Sequence, residues 1–265
     1  MKMLVHLRDE PGVSYWKFVD QGSDEPCAAS PKEERRNIHT LIISDLHFGT
    51  TACRARALLA MLNTFWIEEH IILLGDIFHD LDFKRISGEQ FKVISRIRKL
   101  TNPKLPLKEV WVRGNHDNAT IDIFRHIIGI EVLDEFIWTC GGKRYLAIHG
   151  DQFDRFVKNY PWLTKLAIIF HNLIKILDPQ NRHIEKWLAR KSGEWRRESK
   201  MVADGAIKYG KEKGVDAIFC GHTHEAMRQK EAGIEYINAG CWVKSICSFV
   251  TITEDGPMLN FVELP

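Results

Sequence analysis

Five short stretches carry side chains that can hold a cation or move a proton. They are Asp45-Leu46-His47, Gly75-Asp76, Gly114-Asn115-His116-Asp117, His149-Gly150-Asp151 and Gly221-His222-Thr223-His224. Each stands directly behind an apolar run. Imidazole nitrogens mixed with carboxylate and amide oxygens suit Mn²⁺, Fe²⁺ or Zn²⁺, and no cysteine stands among them, so a soft thiolate site is not implied. Any one stretch has a plain explanation: an Asp behind a strand is ordinarily a turn residue or a cap, and GNHD alone is a tight turn. Five of them in one chain, all at strand exits, read as one site.

Such a site needs a sheet whose strands end side by side, since open α/β folds bind ligands where strand ends converge. The sequence supplies those strands. HTLIISD, IILLGD, EVWVRGNHD, RYLAIHGD, DAIFCGHTH and IEYINAG are short, nearly continuous apolar runs, as expected of strands covered on both faces. Between the first two, residues 54–69 place Ala57, Leu58, Met61, Leu62 and Phe65 at helical spacing. Residues 85–100 suit a second helix ending near Pro103. SFVTIT and LNFVEL alternate like hairpin strands around EDGPM. Helices alternating with strands early and strands dominating late predict an α/β sandwich.

Two segments stand apart from this rhythm. Residues 1–36 hold two strand-like pieces and then a polar linker, QGSDEPCAASPKEERR, so they are expected to be an N-terminal extension without chemistry, ahead of one domain over 37–265. Residues 152–200 read as a helical insertion. Trp162, Leu166, Ile169, Phe170, Leu173, Ile174 and Leu177 form an apolar face, and Trp187, Leu188 and Trp195 follow on a second helix. Eleven Lys and Arg against five Asp and Glu make this block basic in a chain of net charge +2.

Composition excludes several classes of function. With 45% apolar and 27% charged residues in 265, the chain is a folded protein large enough for its own core. Its small net charge argues against a general nucleic-acid binder. The N-terminus meets Asp9 and Glu10 too soon for a signal peptide. WLTKLAIIFHNLIKIL is too short and too charged to span a bilayer. Six scattered cysteines without a CxxC pair are expected as reduced thiols, which places the protein in the cytoplasm.

The order D-x-H, G-D, G-N-H-D, H-G-D, G-H-T-H resembles the calcineurin-like metallophosphoesterases across roughly residues 38–245. The resemblance implies a four-layer αββα sandwich holding two divalent metals, with Mn²⁺ expected and Fe²⁺ or Zn²⁺ as alternatives. Asp45, His47, Asp76 and His224 would hold one metal, and Asp76, Asn115, His149 and His222 the other, Asp76 bridging. A metal-bridging hydroxide would then attack a phosphoryl group. His116 would act as general acid or charge stabiliser, with Asp117 orienting it, and Asp151 would support His149. His79, Asp80 and Asp82 either line the cleft or form a solvated loop.

ISDLHFGT, LLGDIFHD, YLAIHGDQFD and YINAGCWVKS, with the insertion after HGD, resemble the branch containing UDP-2,3-diacylglucosamine pyrophosphohydrolases. That likeness implies an acylated pyrophosphate substrate, a cap over the cleft, and contact with the inner face of a membrane through the basic insertion. Arg54, Lys158 and Tyr160 are the candidate substrate contacts. The enzymes of that branch carry an Arg after the metal-binding Asn, where this chain has His116. Two other readings stand beside this one: a phosphodiesterase or phosphatase of the same fold acting on another lipid or a soluble nucleotide, and a metal-poor scaffold. No nucleic-acid partner is expected.

Overall fold

The computed structural model of the chain describes residues 2–20, 35–80, 82–100, 107–117, 132–154 and 192–264. A hairpin, β1 (Lys2–Glu10) and β2 (Val13–Asp20), comes first. Then follow β3 (Arg36–Ile43), helix α1 (Ala55–Thr64), β4 (Phe65–Leu74), helix α2 (Gly88–Leu100), β5 (Lys108–Val112) and the short β6 (Val132–Leu133). A second hairpin, β7 (Glu135–Cys140) and β8 (Lys143–Ile148), precedes helix α3 (Ser192–Lys213). The chain closes with β9 (Ala217–Cys220), β10 (Met227–Glu231), β11 (Ile234–Asn238), β12 (Ile246–Thr253) and β13 (Gly256–Glu263).

Among the described residues the strands form two mixed sheets, ordered β1-β2-β13-β12-β3-β4-β5-β6 and β10-β11-β9-β8-β7. Alternation within the apolar runs sets the layers, because neighbouring side chains on a strand point to opposite faces. Leu41 and Ile43 of β3, with Ile71 and Leu73 of β4, pack with Leu58 and Met61 of α1 and Val93 and Ile97 of α2. Their neighbours Ile42, Ile72 and Leu74 turn the other way and meet Tyr145, Ala147, Ala217 and Phe219 of the second sheet. Leu146, Ile148 and Ile218 then face Ala203, Ala206 and Ile207 of α3. Three apolar interfaces separate helices, sheet, sheet and helix, the αββα sandwich expected from the sequence.

Two boundaries differ from the sequence reading. The first helix stops at Thr64, whose hydroxyl donates to the Ala60 carbonyl (2.9 Å), instead of running to 69. Phe65 is already extended and pairs with Arg36. It remains buried, against Trp16 and Phe249, so its place in the apolar pattern came from the strand's packing and not from the helix. The opening residues are likewise no detached appendage. β2 runs parallel to β13, and the buried Trp16 indole donates to Asn260 Oδ1 (3.0 Å), so the hairpin extends the first sheet. The expected linker falls largely on residues 21–34, and the body of the expected insertion, with Lys158 and Tyr160, on 155–191, both outside the described residues.

Candidate metal centre

The exits of β3, β4, β5, β8 and β9 lie side by side, tied by backbone hydrogen bonds that continue past the strands. Asp45 N donates to the Gly75 carbonyl (3.1 Å), His47 N to the Asp76 carbonyl (3.0 Å) and Gly221 N to the His149 carbonyl (2.9 Å). Such close approach leaves no room for side chains on the turning residues. A Cβ on Gly114 would overlap Asp76 Oδ1 and N, and one on Gly221 would overlap the Ser44 hydroxyl and Asp45 Oδ2.

At these exits the sequence-identified side chains converge. His224 Nε2 lies 2.9 Å from Asp45 Oδ1 and 3.1 Å from His47 Nε2. His149 Nε2 lies 3.5 Å from Asp76 Oδ1, and His222 Nδ1 lies 3.1 Å from Asn115 Oδ1. Asp45 belongs to both sets of mutually close ligand atoms, Asp45/His47/His224 and Asp45/Asp76/His149. Asp45, Asp76 and His149 are all at most 2% exposed, and His47 is 6% exposed.

Several features fit a cation in particular. Asp45 Oδ1 and His149 Nε2 are fully buried and face other ligand-capable atoms of the centre, His224 Nε2 and Asp76 Oδ1. His149 Nδ1 faces the Leu74 carbonyl at 3.0 Å and donates to it, so Nε2 is the nitrogen turned toward Asp76. Two imidazole Nε2 atoms at 3.1 Å, as in His47 and His224, have the separation of two ligand atoms on one ion.

The titration behaviour of the metal-free site follows from this crowding. Burial works against the Asp45 carboxylate, yet His224 beside it holds its pKa below the ordinary value. Burial also opposes the charged Asp76, but His149 and its neighbours hold that carboxyl far below the usual range. Against the same burial, Asp76 raises His149 to about 10 and Asp45 raises His224 to about 10. Burial dominates at His47, which falls to about 4. Without a cation, protons on His149 and His224 therefore neutralise the two carboxylates.

His116 and Asp117 behave differently from each other. The His116 ring faces the His47 ring edge-on (5.2 Å between centroids) and stacks on His79 (5.6 Å). Its Nδ1 lies 3.3 Å from the His79 carbonyl. Asp117, expected from the sequence to orient this ring, has its carboxylate engaged by the neighbouring strand exits. Its buried carboxylate accepts from Asp76 N (2.8 Å), Ile77 N (3.1 Å), Gly114 N (3.0 Å) and the Trp111 indole (3.3 Å). It clamps the exits of β4 and β5 together. Burial, and then the charge of Asp76, raise its pKa.

The remaining candidates divide. His79 joins His47 and His116 in a cluster of ring nitrogens. Asp80 and Asp82 shape the loop beyond it: Asp80 pairs with Arg85 (2.7 Å) and accepts from Asp82 N, and Asp82 accepts from Lys84 N. Arg54 is exposed, and its Nε donates to the Lys244 carbonyl (3.3 Å). Asp151 opens the turn after His149 and adds to the charge that keeps that imidazole protonated. Sequence reasoning missed two residues. Asp154 Oδ2 lies 3.0 Å from His222 Nε2, and Lys244 Nζ donates to the His224 carbonyl (2.5 Å). The second Asp of HGDQFD was a visible signal for Asp154; nothing in the sequence singled out Lys244.

Comparison with known proteins points the same way. The calcineurin-like phosphoesterase family matches residues 38–226. A UDP-2,3-diacylglucosamine hydrolase of Haemophilus influenzae strain PittGG is 28% identical over 238 residues, covering 82% of this chain and 96% of that protein. Its counterpart in strain Rd is 27% identical over the same shares. Among solved structures, a Vps29 variant from Entamoeba histolytica is 15% identical, covering 85% of this chain and 99% of that one, with a TM-score of 0.45. The family match spans well over half of the sequence and every strand exit described above, so the chain belongs to the calcineurin-like phosphoesterases, metal-dependent hydrolases of phosphoester bonds.

Proposed function

We propose that this phosphoesterase is a two-metal hydrolase of a nucleotide-linked lipid pyrophosphate, UDP-2,3-diacylglucosamine or a close chemical relative. The observation that carries the two-metal part is the convergence of Asp45, His47 and His224 beside Asp45, Asp76 and His149. The substrate rests on the relatives named as hydrolases of that compound, matched over 96% of their length. Asp45, His47, Asp76 and His224 would hold one cation, and Asp76, Asn115, His149 and His222 the other, with Mn²⁺ the expected metal. Bound there, the cations supply charge that acidifies water near neutral pH and offsets the charge developing on a phosphoryl group.

The chain's own residues account for the rest. With Nδ1–H of His116 donated to the His79 carbonyl, Nε2 is left to pass a proton to the departing oxygen. Asp154 holds His222 in place from its far side. Arg54, which donates to the Lys244 carbonyl, and Lys244, which donates to the His224 carbonyl, would offer two cations to the diphosphate. The basic amphipathic segment with Lys158 and Tyr160 is assigned to the acyl chains and to an anionic membrane surface at the cytoplasmic face, on its composition. No helix among the described residues is long and apolar enough to cross a membrane.

The test is hydrolysis with Mn²⁺ of three substrates: UDP-2,3-diacylglucosamine, a UDP-sugar without acyl chains, and a generic phosphodiester. Release of UMP from the acylated compound, well above the other two, is expected. Cleavage of the generic diester with none of the lipid would overturn the substrate and leave the hydrolase.

A further inference from the structure

Back along the same strands, a second set of metal-capable side chains gathers. His39 on β3, Glu69 on β4 and Cys140 at the end of β7 bring a ring nitrogen, a carboxylate oxygen and a sulfur within 4.8 Å of one another. His39 precedes Asp45 by six positions and Glu69 precedes Asp76 by seven, so this cluster lies about 20 Å down the strands from the centre described above. Cys140 pairs with Lys143, at the end of β8 opposite His149.

A backbone irregularity creates the cluster. Ile38 pairs with Ile67 but Thr40 pairs with His70, so Glu68 and Glu69 together oppose the single His39 in a β-bulge. Both carboxylates consequently approach one imidazole: His39 Nδ1 lies 3.3 Å from Glu68 and 4.0 Å from Glu69. Yet that nitrogen is buried and makes no hydrogen bond among the described residues. The same holds for His70 Nδ1, 3.9 Å from Glu69. Buried ring nitrogens without a hydrogen bond are costly, and here both stand within about 4 Å of the Glu69 carboxylate. The His70 ring packs on Phe136 and Trp138 (5.3 and 6.4 Å between centroids), so the cluster sits at the rim between the two sheets.

We propose that His39, Glu69 and Cys140 bind a zinc-type divalent cation at a site separate from the catalytic centre, tying β3 and β4 of the first sheet to β7 of the second. Thiolate, imidazole and carboxylate are zinc's usual ligands, with donor atoms about 3.5 Å apart around a tetrahedral ion. Reaching that spacing requires a modest turn of Glu69, whose side chain is 46% exposed. The fourth position falls to His70 or to water. On binding, the Cys140 thiol loses its proton to solvent.

Cobalt(II) titration of the reduced full-length protein tests this. A thiolate on cobalt gives an intense near-ultraviolet charge-transfer band that oxygen and nitrogen ligands do not, so the imidazole and carboxylate centre is silent in this readout. Cys241 lies beside His224 and is the control. The band is expected in the wild type and in Cys241→Ser, lost in Cys140→Ser, and formed with at least about tenfold weaker affinity in His39→Ala and Glu69→Gln. Manganese-dependent phosphoester hydrolysis stays near wild type in Cys140→Ser and His39→Ala, which reports that both variants fold. Absence of the band from the wild type, or its persistence in Cys140→Ser, would overturn the proposal.

Discussion

Replacing Asp117 by Asn separates two roles that a carboxylate beside a histidine can play. Asp117 Oδ2 accepts from Asp76 N, Gly114 N and the Trp111 indole, while Oδ1 accepts from Ile77 N. In Asp117→Asn the amide oxygen can serve the first three donors, but the amide nitrogen then faces the Ile77 N–H. That leaves a buried donor without an acceptor, at about 1–3 kcal/mol. The three surviving bonds lose their charge assistance, roughly 1 kcal/mol each. Working the other way, burial and the charge of Asp76 raise the pKa of Asp117. A raised carboxylate pKa contributes stability below the unfolded value that is lost as pH rises through the folded one, so at neutral pH the ionised group carries a penalty that Asn escapes. The two losses together come to roughly 4–6 kcal/mol, and the net expectation, reduced by that penalty, is a clear fall in the urea midpoint.

Urea unfolding at neutral pH measures that loss, and the pH dependence of kcat at saturating metal measures the alternative. If Asp117 clamps the exits of β4 and β5, the midpoint falls and the arm of the profile belonging to His116 stays in place, because His116 Nδ1 faces the His79 carbonyl. Stability within about 0.5 kcal/mol of wild type, together with a displaced arm, would refute the clamp and restore Asp117 as the partner of His116.

Other expectations follow from the same geometry. His116→Ala should lower kcat by roughly 10²–10⁴ with unchanged metal content; unchanged turnover would remove it from the chemistry. Asp154→Ala should weaken metal binding by about 10–100-fold through loss of the hold on His222 Nε2, measured by titration of the metal-free protein. Because His149 and His224 are raised to about 10 without a cation, metal must displace both protons at neutral pH, whereas His47, lowered to about 4, has none to give. Calorimetry in buffers of different ionisation enthalpy should therefore report about two protons released by these imidazoles, with affinity rising as pH climbs toward 10; an enthalpy independent of buffer would contradict that. Gly114→Ala should abolish metal loading, since its Cβ would occupy the space of Asp76 Oδ1 and N.

The metal-capable side chains were legible because each sits where an apolar run stops, and a run buried on both faces has nowhere to end but at a sheet edge. The layers were legible for a related reason, since Leu41-Ile42-Ile43 and Tyr145-Leu146-Ala147 are apolar at every position. What escaped reading was set by contacts distant in sequence. Nothing within Val13–Asp20 announces a parallel partner near the C-terminus, yet Tyr15 pairs with Phe261. Phe65 fits a helical spacing as well as it fits a strand, and the pairing with β3 decides. Asp117 looked like a histidine partner because its actual partners are mostly backbone N–H groups, which every residue carries and no letter of the sequence records.

The backbone of the centre adds a constraint that composition does not carry. Outside glycine, positive φ among the described residues falls at Asp45, His47, Asp76, His222, His224 and Ala232, with values from 47° to 65°. All but Ala232 belong to the centre. Left-handed backbone costs a non-glycine residue of order 1 kcal/mol or more, so these five together oppose folding by about 5 kcal/mol, comparable to the low end of a domain's net stability. The D-x-H and H-T-H stretches each use the conformation at both the first and third residue; Asp45, His47 and His224 end in one cluster, while the His222 ring turns to Asn115 and Asp154. Glycine would relieve the strain at any of these positions and remove the ligand with it. The cross-ties between strand exits hold the conformation, and the buried Asp45 Oδ1 and His149 Nε2 are what that conformation presents. A cation that satisfies those atoms binds the folded chain alone, so occupancy of the centre returns part of the stability its geometry takes away.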